Sequence, residues 1–544
     1  MNRNKKNKVQ ARAKIQLYGC LVLACILFLF TTFVSAQSDQ IIQNASNLIQ
    51  AGNLTEAENI LRTHLTKSPK DTNAKVLLGV TLDQQNRLDE AENIYREILR
   101  SKPNEVSALA NLGILLAKTN RLPEAVKTFE KVLSLNPNHK QATFNLAAIY
   151  SAQNEQKKAL PLLEKTVGIT SQNKTPKTDD VALLFALMKA YFSTGKRTEA
   201  LKIAELLESQ SPEDVRLLFT LGLGLAESDE FEKAKTLFEK VNALIPNNFD
   251  VLYNLGLAHY NLEELDSART VLQQAATLKP TAPEVFYRLG LIASAKKESE
   301  NAIGLWLKAT ELRPEYAEAN FLIGEELSGN RLYTGASGFY EKAAIQSPET
   351  LLYQVRLIVN YIRLKQYEKA RAVLGREQEK RPDHLNLTYL RGFLARAEGT
   401  YDEAIESFEK VLKMSPDNAD VLANLGYLAY QRGENVKAEQ LLRKAIKLDK
   451  DNFSAHYDLG RLLMRNKKYD EALPILERGT QLKNEDPSIF YQLFIAYSRV
   501  KQKDKANKAF AEFKRLEELT KPTSGAATAT EEAKDLPESI KEKP

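Results

Sequence analysis

Alanine returns at one fixed interval through almost the whole of this 544-residue chain. Ala57, Ala91, Ala125, Ala159, Ala200, Ala234, Ala268, Ala302, Ala336, Ala370, Ala404, Ala438, Ala472 and Ala506 are 34 residues apart, except for one step of 41 from Ala159 to Ala200. A constant interval of this size marks a stacked array, whose units are too small to bury an apolar face alone and bury it against their neighbours. It overrides the roughly three or four domains that length alone suggests.

Other columns keep the same phase. Twelve residues ahead of the alanines stand small residues: Ala45, Gly79, Gly113, Ala147, Gly222, Gly256, Gly290, Gly324, Gly392, Gly426 and Gly460, interrupted by Met188, Ile358 and Phe494. Four residues after the alanines the chain is large, as at Tyr95, Phe129, Phe238, Trp306, Tyr340 and Phe408, and eight further it turns to proline, as at Pro103, Pro137 and Pro314.

One unit shows what the columns build. From Glu105 to Lys118 the apolar residues Ala108, Leu109, Leu112, Leu115 and Leu116 recur at helical steps, and Pro123 to Leu135 repeats the pattern. Thr119-Asn120-Arg121 is a short turn between them, and Pro137 ends the second helix because it lacks an amide hydrogen and restricts the residue before it. Each unit is therefore an antiparallel helix pair. Glycine inside a helix costs about 1 kcal/mol relative to alanine, so its recurrence predicts close approach of the partner helix, with the alanine on the facing side. The large residue is expected to fill the gap between units.

The spacing of Leu-Gly, alanine twelve on, a large residue four later and proline eight beyond resembles the tetratricopeptide repeat. The resemblance implies an all-α fold, a right-handed α-solenoid of stacked antiparallel helix pairs. Fourteen repeats cover 38–520: four in 38–173, ten in 181–520. The 41-residue step is taken up by a polar insert loop at 170–180, around Thr170-Ser171-Gln172-Asn173-Lys174-Thr175-Pro176. The insert reads either as a tolerated surface loop or as a hinge or docking site between the two blocks. The last helix, from Asp504 to Leu519, carries Lys505, Lys508, Glu512, Lys514, Arg515, Glu517 and Glu518, and a polar outer face there is expected to cap the stack. Residues 521–544 have almost no large apolar side chains and are expected to be a disordered tail.

The net charge of +6 is misleading. Arg3, Lys5, Lys6, Lys8, Arg12 and Lys14 all precede residue 36; without these six of the 76 basic residues, the remainder balance the 70 acidic ones. No general field for nucleic acid is expected. The basic start, the uncharged run Leu17–Val34 and the small residues Val34-Ser35-Ala36 make 1–36 a signal peptide or a retained N-terminal membrane anchor. Either predicts export of the repeats, to a periplasmic, cell-envelope or secreted location. Membrane contact then comes only through this segment, if uncleaved.

No catalytic or metal-binding constellation emerges. Both cysteines, Cys20 and Cys25, lie in the N-terminal segment, and His64, His139, His259, His384 and His456 have no ligand spacing. Leu221-Gly222-Leu223-Gly224 falls inside a helix, follows no strand and lacks a third glycine. Acidic pairs such as Asp89-Glu90, Asp402-Glu403 and Asp470-Glu471 suit the first turn of a helix. No enzyme activity and no cofactor are expected, since 38–520 leaves no room for a catalytic domain.

The candidate binding residues follow from the resemblance, which places the first helix of each pair on the concave face. At its sixth position stand Asn111, Asn145, Asn254 and Asn424, whose amides offer a donor and an acceptor to a peptide backbone. A second set, Arg356, Arg363, Arg391, Arg396, Arg461, Arg465 and Arg499, lies on later first helices; Arg363, Arg465 and Arg499 share one repeat position. Asp83 and Glu227 lie on or beside that position in earlier repeats, so the groove is expected to become more basic toward its C-terminal half and to suit acidic peptides or polymers. Tyr253, Tyr287, Tyr389, Tyr457 and Tyr491 recur at one position and read as packing between helices rather than as a carbohydrate track. The function that emerges is an exported, non-enzymatic scaffold holding a partner protein or peptide. The alternative is an envelope assembly factor for polysaccharide or pilus export.

Overall fold

The computed structural model describes residues 36–520. The N-terminal leader, up to residue 35, and the 521–544 tail lie outside the described residues. Twenty-eight α-helices alternate as first and second members of fourteen pairs, and no strand occurs among the described residues. First helices run, for example, over Thr72–Gln84, Val106–Lys118 and Phe453–Arg465, and second helices over Leu88–Ser101, Leu122–Leu135 and Tyr469–Leu482. Within each of two compact units helices pack on their pair mates and on the next pair, giving an all-α array of stacked pairs. One unit ends at Leu262 and the other begins at Glu263, inside the turn of the seventh pair.

Why the columns exist is now visible. The alanines from Ala57 to Ala472 are 0 % exposed, where the two helices of a pair close on each other. A Cβ on Gly113 would stand 2.7 Å from the Phe129 ring, and one on Gly324 would stand 2.7 Å from Tyr340. The large residue thus lies on its own repeat's glycine, a contact inside the unit, and does not mainly fill a gap between units. The volumes are inverse: the most open glycine contacts carry rings, and where the column holds Met188 the residue sixteen later is Ala204. Ile358 with Leu374 and Phe494 with Phe510 depart from this rule. The first pair is absorbed into a buried core; the second stacks with ring centroids 4.8 Å apart and leaves Phe510 38 % exposed.

Helix ends repeat as well. Seven first helices start on Asp or Asn caps, as where Asp71 Oδ1 accepts from the Ala74 amide at 3.1 Å, Asn418 Oδ1 from Val421 at 3.0 Å, and Asn452 Oδ1 from Ala455 at 2.9 Å. Every turn between pair mates places one residue in the left-handed region. Gly52, Asn86, Asn120, Asn154, Gly195 and Asp229 do so in the first unit, and Glu263, Lys297, Arg331, Lys365, Gly399, Gly433, Lys467 and Lys501 in the second.

The insert is a loop closed on itself. The Asn173 amide donates to the carbonyls of Gly168 (3.2 Å) and Thr175 (2.7 Å), and the Lys177 backbone amide donates to Val167 O at 2.7 Å. The last helix, Lys503–Thr520, exposes Lys505, Lys508, Lys514, Arg515 and Glu518, with a cluster of rings beside this polar face. Tyr491, Phe494, Phe510 and Phe513 form a chain of rings at 4.8–6.2 Å, and Leu519 is largely exposed.

Candidate functional site

First helices of successive repeats touch one another within each unit, as Thr72–Gln84 with Val106–Lys118 and Ala419–Gln431 with Phe453–Arg465, more closely than second helices do. In each unit they make the row on which its candidate residues stand.

The asparagines do not form an open ladder. Asn145 is 2 % exposed and neither side-chain polar atom has a partner, while Asn424 is 7 % exposed, donating to Tyr389 Oη at 3.1 Å and to Asp420 O at 2.8 Å. Both are walled in by neighbouring helices and present no amide to a peptide, which corrects the expectation for these two positions. Asn111 and Asn254 are half-buried and each spends its amide hydrogen on its own helix, on Ser107 O at 2.8 Å and Asp250 O at 2.7 Å.

The arginines divide by what they touch. Arg356 Nε bonds Glu325 at 3.2 Å and Arg391 Nε bonds Glu403 at 3.1 Å, so carboxylates claim both. Arg396 is buried between the rings of Phe393 (4.9 Å) and Tyr427 (5.1 Å), which removes it from the surface expected of it. Arg461 lies between Tyr430 and Tyr457, at 5.4 Å from each, with Asp458 3.5 Å from Nη1. Burial works against its charge, but Asp458 and the surrounding tyrosines hold the guanidinium above its ordinary range. Arg465 is exposed over Tyr430 at 5.3 Å. Arg363 sits over Tyr333 at 5.2 Å and donates to Ser328 Oγ at 3.0 Å, and Arg499 is exposed. Their shared position is interrupted by Ala397 and Gln431, so the three make separated points and not a continuous stripe.

Sequence reasoning missed the residues that extend this set. Two positions beyond Arg363, Arg465 and Arg499 stand Lys365, Lys467 and Lys501, each the left-handed residue of its turn. Lys297 and Arg331 hold the same place in other repeats of the second unit. All five are exposed and none forms an ion pair among the described residues. The signal was available, since the turn residue has a fixed offset from the alanine, but only the backbone angle shows that a lysine there is held against its preference.

In the first unit the same ends are neutralised. Lys118 pairs with Asp83 at 2.8 Å and Lys189 with Glu227 at 2.8 Å. Second helices in both units are laced by a separate ladder. Arg121 binds Glu92 (2.9 Å) in the preceding repeat and Glu124 (2.8 Å) in its own, and Arg371 binds Glu403 (3.0 Å) as well as Glu398. Arg371 holds the Glu403 carboxyl below its ordinary range. The acidic pairs ahead of the alanines therefore serve neighbouring repeats as well as their own helix ends.

The histidines are structural. His139 Nδ1 accepts from the Ala142 amide as a helix cap, and burial lowers its pKa; His456 is buried against Asn452 O. No group of His, Cys, Asp and Glu able to hold a metal ion occurs among the described residues. No described helix is long and apolar enough to cross a membrane.

Solved structures similar to the chain include the APC/C hetero-tetramer Cut9-Hcn1 (13 % identity, 85 % of this chain and 96 % of that one, TM-score 0.35). Yeast Tom70 is similar at 16 % identity (83 % and 99 %, TM-score 0.34), and the Naa15/Naa10 structure bound to HypK-THB at 17 % (89 % and 76 %, TM-score 0.36). None of these likenesses brings a partner or an activity to this chain. No curated protein matches it. Family profiles described as tetratricopeptide repeat match residues 48–113, 225–290, 395–447 and 431–493, and further ones match 106–139 and 356–419, together more than half of the chain. With helix pairs at a 34-residue interval, closed by alanine against glycine and ring, the chain belongs to the tetratricopeptide repeat proteins.

Proposed function

We propose that the second unit holds an acidic segment of a partner protein along the turn ends of its first helices. Arrays of this family act as interaction scaffolds between proteins, and the specific reading here is the sign of the partner's charge. The observation that carries it is the contrast in pairing. Arg363, Lys365, Arg465, Lys467, Arg499 and Lys501 have no carboxylate partner among the described residues, whereas at the first-helix ends of the first unit Lys118 pairs with Asp83 and Lys189 with Glu227. Seating a guanidinium on an aromatic ring fixes its orientation and leaves its N–H edges directed outward for carboxylates.

Export completes the proposal. The basic leader followed by an uncharged run from Leu17 to Val34 supports delivery across a membrane, and protease digestion of spheroplasts tests it: full-length repeats that stay with the spheroplasts and are left untouched until the cytoplasmic membrane is broken would remove the exported location. The binding reading is tested by fluorescence anisotropy with a labelled decaglutamate peptide and the full chain. Binding should weaken steeply with salt and disappear when Arg363, Arg465 and Arg499 are reversed to Glu. A polylysine peptide binding as well, or an oligonucleotide of equal charge binding better, would replace an acidic protein segment as the ligand.

A further inference from the structure

The second-helix face of the second unit carries an apolar hollow. Eight residues after the column alanine, six repeats place a large aliphatic side chain: Leu65, Leu99, Leu133, Val167, Leu412 and Ile446. The other eight do not: Glu208, Asn242, Ala276, Thr310, Gln378, Thr480 and Lys514 stand there, and in the ninth repeat Ala344. A hollow of about 560 Å³ opens there, between the second helices Tyr333–Gln346 and Tyr367–Lys380. Its floor is apolar, made by Ala344, Leu357 and Val373, and Ile345 on its rim is 78 % exposed. Ile345 and Val436, the latter 75 % exposed, are the most exposed large aliphatic residues among those described.

The rim is charged in one sense. Glu341 is engaged by the Tyr361 hydroxyl at 2.6 Å, and Glu377 by Lys380 at 3.2 Å and by Arg381. Lys369 and Arg376 remain exposed with no carboxylate partner among the described residues; Lys369 rests over the Tyr361 ring at 5.3 Å. An apolar floor of this size with two open cations beside it matches one chemistry: an aliphatic side chain flanked by carboxylates.

We infer that this hollow is a second docking site, on the face opposite the first helices, for a partner segment carrying a leucine or isoleucine anchor between acidic residues. The aliphatic anchor occupies the space that a leucine of the chain fills in other repeats, and its acidic neighbours meet Lys369 and Arg376. The site is independent of the cations on the first helices.

Anisotropy with a labelled peptide Glu-Asp-Leu-Glu-Glu-Asp and the full chain tests it, in an Arg363→Glu/Arg465→Glu/Arg499→Glu background that silences the other face. Replacing the peptide's leucine by serine should weaken binding about tenfold or more. Ala344→Leu should abolish the dependence on that leucine while leaving the helical circular dichroism and the melting transition intact, because six other repeats accept a larger aliphatic residue there. Lys369→Glu/Arg376→Glu should weaken binding about tenfold with the leucine peptide and reverse the preference for acidic flanks. Equal binding of leucine and serine peptides, or unchanged binding by Ala344→Leu, overturns the inference. A chain ended at residue 520 that binds the peptide markedly more tightly overturns it too, by assigning the hollow to the chain's own segment Asp535-Leu536-Pro537-Glu538.

Discussion

The two compact units make the same turn out of different residues. Up to Leu262 the left-handed turn position is always Gly, Asn or Asp, residues that adopt it at little cost. From Glu263 onward six of the eight turns use Glu, Lys or Arg instead, each at about 1 kcal/mol or more by sterics. The first unit also closes its first-helix ends with the pairs Lys118–Asp83 and Lys189–Glu227, whereas the second leaves Arg363, Arg465 and Arg499 unmatched by carboxylates. Stability alone explains the first unit. In the second, a recurrent cost is tolerated where the extra side chain adds exposed positive charge, which is the pattern of a surface kept for a partner.

The largest expected effect separates the units by binding. Arg363→Glu/Arg465→Glu/Arg499→Glu should lower affinity for an acidic peptide about a hundredfold, while Lys118→Glu/Lys189→Glu in the first unit should leave it unchanged. Equal losses from both would erase the distinction. Core packing, in contrast, should not distinguish them. Gly113→Ala in one unit and Gly324→Ala in the other should each destabilise by about 2 kcal/mol in spite of alanine's better helix propensity, because the new methyl meets Phe129 or Tyr340. Urea melts read this, and Phe129→Leu should restore part of the loss in Gly113→Ala.

The turn exchange links the two properties. Lys365→Gly should stabilise its repeat by about 1 kcal/mol and weaken peptide binding at once, whereas Asn120→Gly should change stability by only a few tenths of a kcal/mol and binding not at all. Hydrogen exchange at each turn separates the outcomes; stabilisation by Lys365→Gly with unaltered binding would sever strain from function. The smallest effect concerns acid. Arg371 depresses the Glu403 pKa, so the stability this contact gives is present above the unfolded carboxylate pKa of about 4.3 and is lost as pH falls through the lower folded value. Arg371→Met should flatten that part of the pH dependence by under about 1 kcal/mol, as read from melts between pH 6 and 3.

How far the chain could be read without coordinates depended on whether a residue obeyed the period. Ala125, Gly113 and Phe129 announce a helix pair and its contact because their sizes repeat. Departures were harder. Asn145 and Asn111 hold the same repeat position, yet one is buried and the other half-exposed, because burial depends on the neighbouring repeat's side chains, which do not repeat. Arg396 looked like Arg461 in sequence but is sealed between Phe393 and Tyr427. The hollow beside Ala344 was not legible, since Ala276 holds the same repeat position, and its open cations emerged only when Glu341 and Glu377 were seen to be engaged elsewhere.

The inverse fit of glycine with ring also governs how such a chain can change over generations. Because the two partners sit sixteen residues apart within one pair, a duplication or loss of 34 residues carries both together, wherever it begins between pairs. A recombination that joins the first helix of one repeat to the second helix of another separates them. Joining Met188 to Trp306, or Gly290 to Ala204, would leave a clash in one case and a hole in the other. Inheritance therefore proceeds by whole helix pairs, and the exposed positions that select a partner are free to drift inside them.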